Sequence, residues 1–303
     1  MAMNRAQFKK QMQLGLNTVA GLEYKPEKDM WRQYLGFETE SKRAYVEDVV
    51  MSGFSAAPVK VEGAAGAYAT ASELYTARYL FETIVLQFAI TEEAEEDGLY
   101  GSLGNKLARA LMRSMQYTKR VKAANVLNNG FSSSYLGGDG ICLFSTGHLV
   151  SGGQDDNTLA TAADLSETSL EDMLVLIDNA TDYKGIPISI EAQKLIVPTA
   201  LRFTAHRILN SQGRVETPNN DENAIKAMGM LPGGLVVDKQ LTDTDAWFVT
   251  TDCPDGLKFI QRKALKKGIE GDFDSGNLRY KMRERFAVGW TDWHGAYGTA
   301  GGG

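Results

Sequence analysis

The chain has 303 residues, a formal net charge of −6, and 43% hydrophobic and 23% charged residues. Those values are ordinary for a globular chain and exclude a collagen-like or wholly disordered one. No apolar run approaches the roughly 18 residues of a membrane helix, and the acidic balance argues against a dedicated nucleic-acid binder. Two cysteines, Cys142 and Cys253, are too few for a disulfide framework, or for a structural zinc site without histidines.

Residues 1–45 read as an arm. Phe8, Met12, Leu16 and Val19 fall at helical spacing until Gly21 and Pro26 break the pattern. Arg5, Lys9 and Lys10 interrupt the start, which is not a secretory signal, so synthesis in the cytoplasm is expected. Trp31, Tyr34, Leu35 and Phe37 then form a small apolar cluster. Residues 46–90 are rich in Ala, Gly, Val, Thr and Tyr. They predict a long hairpin with its tip at 63–66, whose Tyr75, Tyr79, Phe81, Ile84, Leu86 and Phe88 suit a pleated surface. A hairpin of about 40 residues this rich in small side chains cannot bury itself and needs a neighbouring domain or subunit.

Five acids follow, Glu92, Glu93, Glu95, Glu96 and Asp97, and then a long helix with Ser102 as its expected N-cap and Gly130 past its end. Leu103, Leu107, Leu111, Met115 (or Ser114), Thr118, Val121 and Asn125 mark one face, and all its charges are basic. Acid before the helix and base along it suit the helix dipole. Residues 141–144 predict a short strand. Ser169 is the expected cap of a helix ended by Gly185, and Leu201, Ala205, Ile208 and Leu209 predict another over 199–211. The segments 231–252, 257–270 and 278–293 read as strands, with a turn at 272–277. Arg279, Lys281, Arg283 and Arg285 alternate with Tyr280, Met282, Glu284 and Phe286, which puts four cations on one strand face.

No segment carries a recognisable active site. Cys142 and His148 share a loop, as a nucleophile and base could, but no catalytic signature surrounds them. The GGDG string at 137–140 lacks the Lys-Ser/Thr and the following helix of a phosphate cradle. Asp155, Asp156 and Asn157 lack the spacing of a calcium loop. No catalytic residue, cofactor or metal is expected. The acidic cluster, the cationic strand and the strip Lys258, Arg262, Lys263, Lys266 and Lys267 have three readings: solvated faces, ion pairs between subunits, or loose contact with a phosphate backbone.

The order of these parts resembles a tailed-bacteriophage major capsid protein of the Hong Kong 97 fold, in the style of the Mu-like major head subunit family. AITEEAEEDGLYG with the long helix and VLNNG resembles the acidic approach, spine helix and exit of that family. GDGICLFSTGHL resembles its Leu-Phe-Ser-Thr-x-His stretch, keeping Leu143, Phe144, Ser145, Thr146 and His148, and LIVPTALRFTAHRILNS, AWFVTTD and RERFAVGWTDWHGAYG complete the series. The resemblance implies an α+β subunit: arm 1–45, extended loop 46–90, peripheral domain 91–135 and 245–295, axial domain 136–244 and flexible tail 296–303.

It further implies self-assembly as hexamers and pentamers into an icosahedral shell around packaged double-stranded DNA. The chain would reside in the virion and be assembled in the host bacterial cytoplasm, with no membrane contact. No long charged N-terminal extension is present, so a separate scaffolding protein is expected, with a portal and decoration proteins as further partners and only loose DNA contact. Contacts between subunits would involve Glu92, Glu93, Glu95, Glu96, Asp97, Arg279, Lys281, Arg283 and Arg285, and also Lys60, the lysine of the hairpin. The alternatives are an encapsulin-type protein compartment and a soluble hydrolase using Cys142 and His148.

Overall fold

The computed structural model describes residues 27–40, 42–63, 65–92, 101–150, 153–213, 222–272, 274 and 276–302. The strands are β1 (Gly36–Thr39), β2 (Tyr45–Met51), β3 (Glu73–Leu80), β4 (Glu82–Ile90), β5 (His148–Val150), β6 (Gly153–Asp155) and β7 (Ala192–Val197). They continue with β8 (Leu235–Val237), β9 (Trp247–Thr251), β10 (Leu257–Gly271), β11 (Leu278–Trp290) and β12 (Ala296–Thr299). The helices are α1 (Gly101–Asn128), α2 (Glu167–Asp178), α3 (Arg202–Asn210) and α4 (Ala224–Met228). Two four-stranded sheets result, ordered β1-β10-β11-β4 and β12-β9-β7-β8, and β2 and β3 pair separately as a hairpin.

Strict alternation along β11 builds the first sheet. Met282, Glu284 and Phe286 are buried, while Arg279, Lys281 and Arg283 are exposed, so one strand serves a core face and a cationic face. Helix α1 covers the core face, with Leu111 and Met115 against Met282. Lys119 Nζ reaches the buried Glu284 carboxylate at 2.5 Å. The helix stripe drifts from the expected line: Val121 and Asn125 are only half-buried, while Ala123, Ala124 and Leu127 are fully buried. Small alanines let the last turns of α1 approach the sheets closely, as neither Val nor Asn would allow.

The second sheet has two apolar faces because β7 is buried on both. Ile196 joins Trp31, Leu127, Phe144, Phe248 and Phe259 in the core beneath α1. Leu195 and Val197 pack with α2 residues Leu170 and Met173 and α3 residues Ala205 and Ile208. Rings stack within this core on the first sheet: Trp31 lies on Phe259 at 4.2 Å, and Phe259 on Phe286 at 4.9 Å. Trp31, Tyr34 and Leu35 of the arm's apolar cluster are thus core of this subunit while Phe37 is exposed, and β1 pairs in parallel with β10.

Several expectations need correction. Residues 82–90, assigned to the extended loop, form β4 and pair with β11, because Ile84, Leu86 and Phe88 meet the inward row of that strand. Trp247–Thr251, assigned to the peripheral part, belongs with β7 in the second sheet. The tail is not free from 296, since Ala296, Tyr297 and Thr299 are fully buried in β12. The strand expected at 141–144 reduces to a single bridge at Cys142. There Asn157 Nδ2 donates to the Leu143 carbonyl at 2.6 Å, so a side chain does what a strand neighbour would. Ser166, not Ser169, caps α2, with Ser169 as the reciprocal partner of a capping box, and the helix ends at Asp178 rather than Gly185. Ser102 lies within α1 instead of capping it. The arm helix expected before Gly21, and Glu93, Glu95, Glu96 and Asp97, lie outside the described residues.

Candidate functional site: assembly surfaces

The hairpin is anchored at its base, and beyond Ser52 and Ser72 it has no partner strand among the described residues. At the base, Lys258 is 6% exposed and faces three carboxylates of its own chain: Asp48 at 2.8 Å, Asp255 at 2.9 Å and Glu38 at 3.3 Å. Burial would lower the Lys258 pKa, but the bonds to Asp48 and Asp255 outweigh it and hold that pKa above the ordinary lysine range. Asp48 also accepts from Thr291 Oγ1 at 2.9 Å, and that hydroxyl meets the Tyr79 hydroxyl at 2.6 Å. Tyr75 binds Tyr183 at 2.7 Å and donates to the Thr291 carbonyl at 3.1 Å. Strand β2, strand β3, the start of β10 and the end of β11 are therefore tied together. Lys258 is no member of an exposed basic strip, because the strand alternation turns it inward onto these acids.

Past Ser52 and Ser72 the pairing stops. Phe54, Val59, Val61 and Tyr68 stand exposed, Val59 at 95% and Tyr68 at 100%. Lys60 lies exposed on this same segment. Isolated exposed apolar residues are common, but four on one unpaired stretch point to a surface that is covered by something else.

The outer face of the first sheet is cationic. In register, Lys266 sits opposite Arg283 and Lys263 opposite Arg285, two like-charged pairs directly across the strands, while β4 supplies Val85 and Gln87 opposite Arg283 and Lys281. Like charges directly opposite are destabilising, so this face favours an anionic partner. The four expected cations are not equivalent. Arg279 is ion-paired with Asp272 across the turn, Lys281 and Arg283 are exposed, and Arg285 is half-buried with its Nε unbonded among the described residues. Arg279 is thus balanced within its own chain, because the β10–β11 turn folds Asp272 back onto it. Of the acidic cluster, Glu92 is described, and its carboxylate rests over Gly276 of that same turn.

Cys142 and His148 are not brought together. His148 is fully buried, with Nδ1 at 2.8 Å from Asp139 and Nε2 at 3.2 Å from the Leu143 carbonyl. The Cys142 thiol donates to the Phe144 carbonyl at 3.3 Å, and burial pushes its pKa up, the reverse of an activated nucleophile. His294 repeats the arrangement between Asp292 at 2.6 Å and the Thr181 carbonyl at 2.9 Å, and the two imidazoles stack on either side of Trp293. These histidines are fasteners of the loop region between the sheets. Among the described residues no group of three or more His, Cys, Asp or Glu could hold a metal, and no helix is long and apolar enough to cross a membrane.

Sequence reasoning missed the Lys258 cluster, whose acids lie up to 220 positions from the lysine in the chain (Glu38 to Lys258). Nothing short of the fold brings them to one point.

A family model described as "Phage capsid protein" matches residues 74–298, most of the chain. The chain belongs to the phage capsid protein family. Solved structures agree with this capsid protein in fold. The capsid of a native GTA particle aligns with a TM-score of 0.60 at 10% identity, over 97% of this chain and 98% of that one. The capsid of the cyanophage P-SCSP1u aligns with a TM-score of 0.57 at 14% identity, over 94% and 92%. A virus-like particle from Pyrococcus furiosus aligns with a TM-score of 0.50 at 11% identity, over 88% and 90%. No curated protein matches the capsid protein in sequence. At such identities the likeness is one of fold, the α+β Hong Kong 97 type that the sequence resembles, and it does not single out the Mu-like branch.

Proposed function

We propose that this chain is the major head subunit of a tailed phage, self-assembling as hexamers and pentamers into an icosahedral shell around packaged double-stranded DNA. It resides in the virion and is assembled in the host cytoplasm with a separate scaffolding protein, a portal and decoration proteins. The observation that carries the reading is the hairpin. Its base is locked by Lys258, Tyr75 and Tyr79, yet residues 53–63 and 65–71 have no partner strand among the described residues and expose Val59, Val61 and Tyr68. A segment held this firmly at its base, with its apolar side chains exposed among the described residues, suits a surface that lies on the next copy. The cationic sheet face supports the same reading, with the Glu92, Glu93, Glu95, Glu96 and Asp97 stretch of a neighbouring copy as its anionic partner. Family membership favours the phage over an encapsulin-type compartment, and the separated Cys142 and His148 speak against the hydrolase.

Deleting Val59–Tyr68 tests this reading. The expected product is a folded, soluble subunit with wild-type circular dichroism that forms no closed shell by electron microscopy. Normal shells from the deletion would refute the role given to the hairpin.

A further inference from the structure

We propose that neighbouring copies meet around a ring through the outer faces of α2 and α3, the acidic face of one copy against the basic face of the next. This rests on the reading that the chain assembles with copies of itself. The outer face of α2 presents Asp172, Val175 and Asp178, all exposed, with Val175 at 57%. The outer face of α3 presents Arg202, Phe203 and Arg207, also exposed, with Phe203 at 75%. Each face is thus an apolar side chain flanked by two like charges, and the charges of the two faces are opposite. The sign of the first face is not local to one helix turn: residues 153–183 hold eight acids and no lysine or arginine. Beside the second face, α4 packs on α3 and adds Met228, 72% exposed.

The two faces cannot satisfy each other within one subunit. Both helices cover the same side of the second sheet, but toward different edges. The chain leading into α2 is fastened to β12 and β9: Ala163 N donates to Thr299 Oγ1 at 3.3 Å, and Trp247 Nε1 donates to the Ala163 carbonyl at 3.1 Å. Helix α3 packs instead on β7 and β8, at the other end of the strand order. Asp172, Asp178, Arg202 and Arg207 form no ion pair among the described residues, Arg207 bonding only to Thr204 at 3.5 Å. Two unlike, complementary surfaces toward opposite edges of one subunit make a head-to-tail contact, the kind that closes into a ring when its rotation allows. Charge complementarity sets the register of such a contact, and Val175 and Phe203 exclude water from its centre.

A charge swap in the full chain tests the contact by size-exclusion chromatography and electron microscopy at low salt. The double variants Asp172→Lys/Asp178→Lys and Arg202→Glu/Arg207→Glu should each lower the fraction of protein in particles at least tenfold, with circular dichroism unchanged. Combining all four changes restores the opposite charges and should return particle yield to within about twofold of wild type. Should a reversal prevent folding, Asp172→Asn/Asp178→Asn replaces it, with assembly weakened and less sensitive to salt. Double variants that assemble like wild type overturn the contact while leaving the capsid reading intact. So does a fourfold variant that stays blocked although both doubles fold. A wild-type chain that never leaves the monomer overturns the assembly reading itself, and the contact with it.

Discussion

Glu284 is the residue on which the first sheet depends most sharply. Its side chain is 2% exposed, and Lys119 is its one ion-pair partner among the described residues, at 2.5 Å. Burial raises the Glu284 pKa and Lys119 opposes that rise. Lys119→Met leaves a buried carboxylate without its cation, a change that costs about 3–5 kcal/mol, read as a lower denaturant midpoint. Lys119→Met with Glu284→Leu should recover all but about 1 kcal/mol, since an apolar pair replaces a buried ion pair at little cost. The pH dependence has a definite sign. An acid whose folded pKa is raised costs stability at pH above that value, and the cost is relieved as pH falls and the group protonates. The deficit of Lys119→Met should therefore shrink on acidification, and a deficit that grows would contradict the role of Glu284. His148, the base that a hydrolase using Cys142 would need, spends both its ring nitrogens on Asp139 and Leu143.

At the scale of elements, legibility followed periodicity. The alternation at 279–286 gave the strand and its two faces, because the four cations share one side and leave a single register that buries Met282 and Phe286. The long helix was legible from its length and uniform charge, although its buried line near the end was not, since alanines at 123 and 124 carry little hydrophobic signal. The pairing of the hairpin strands was legible, and the length of the hairpin was not. Residues 82–90 share the aromatic and β-branched character of the hairpin strands, and the choice of partner is settled by the facing row of β11, some 190 positions away in the chain. The cap of α2 failed for a related reason: Ser166 and Ser169 bond reciprocally, so either reads as a cap until the backbone is known. Side-chain brackets such as Asn157 leave no trace in hydropathy at all, which is why 141–144 read as a strand.

For the whole molecule, charge is distributed with a direction. Every charged side chain of α1 is basic and the outer face of the first sheet is cationic, whereas 153–183 is wholly acidic, within a net charge of −6. A subunit charged in this way repels its own like regions and attracts the unlike regions of copies. Each exposed pair contributes only about 0–1 kcal/mol, but a shell repeats the pair at every interface. Salt screens such pairs over about 10 Å at 0.1 M. Assembly should therefore weaken as salt rises, and Lys281→Glu/Arg283→Glu should block it while the subunit stays folded by circular dichroism. Unchanged assembly with unchanged salt response would reduce that face to a solvated one. A net acidic wall also suits a container whose contents are a polyanion, because strong binding along the wall would hinder both filling and release. The most direct measurement of the central claim is electron microscopy of the full chain purified from cells that produce it. Closed shells of uniform diameter, with nucleic acid rather than a protein cargo when they form during infection, are the expected result; a monodisperse 33.1 kDa monomer with no shells at any salt concentration would contradict it.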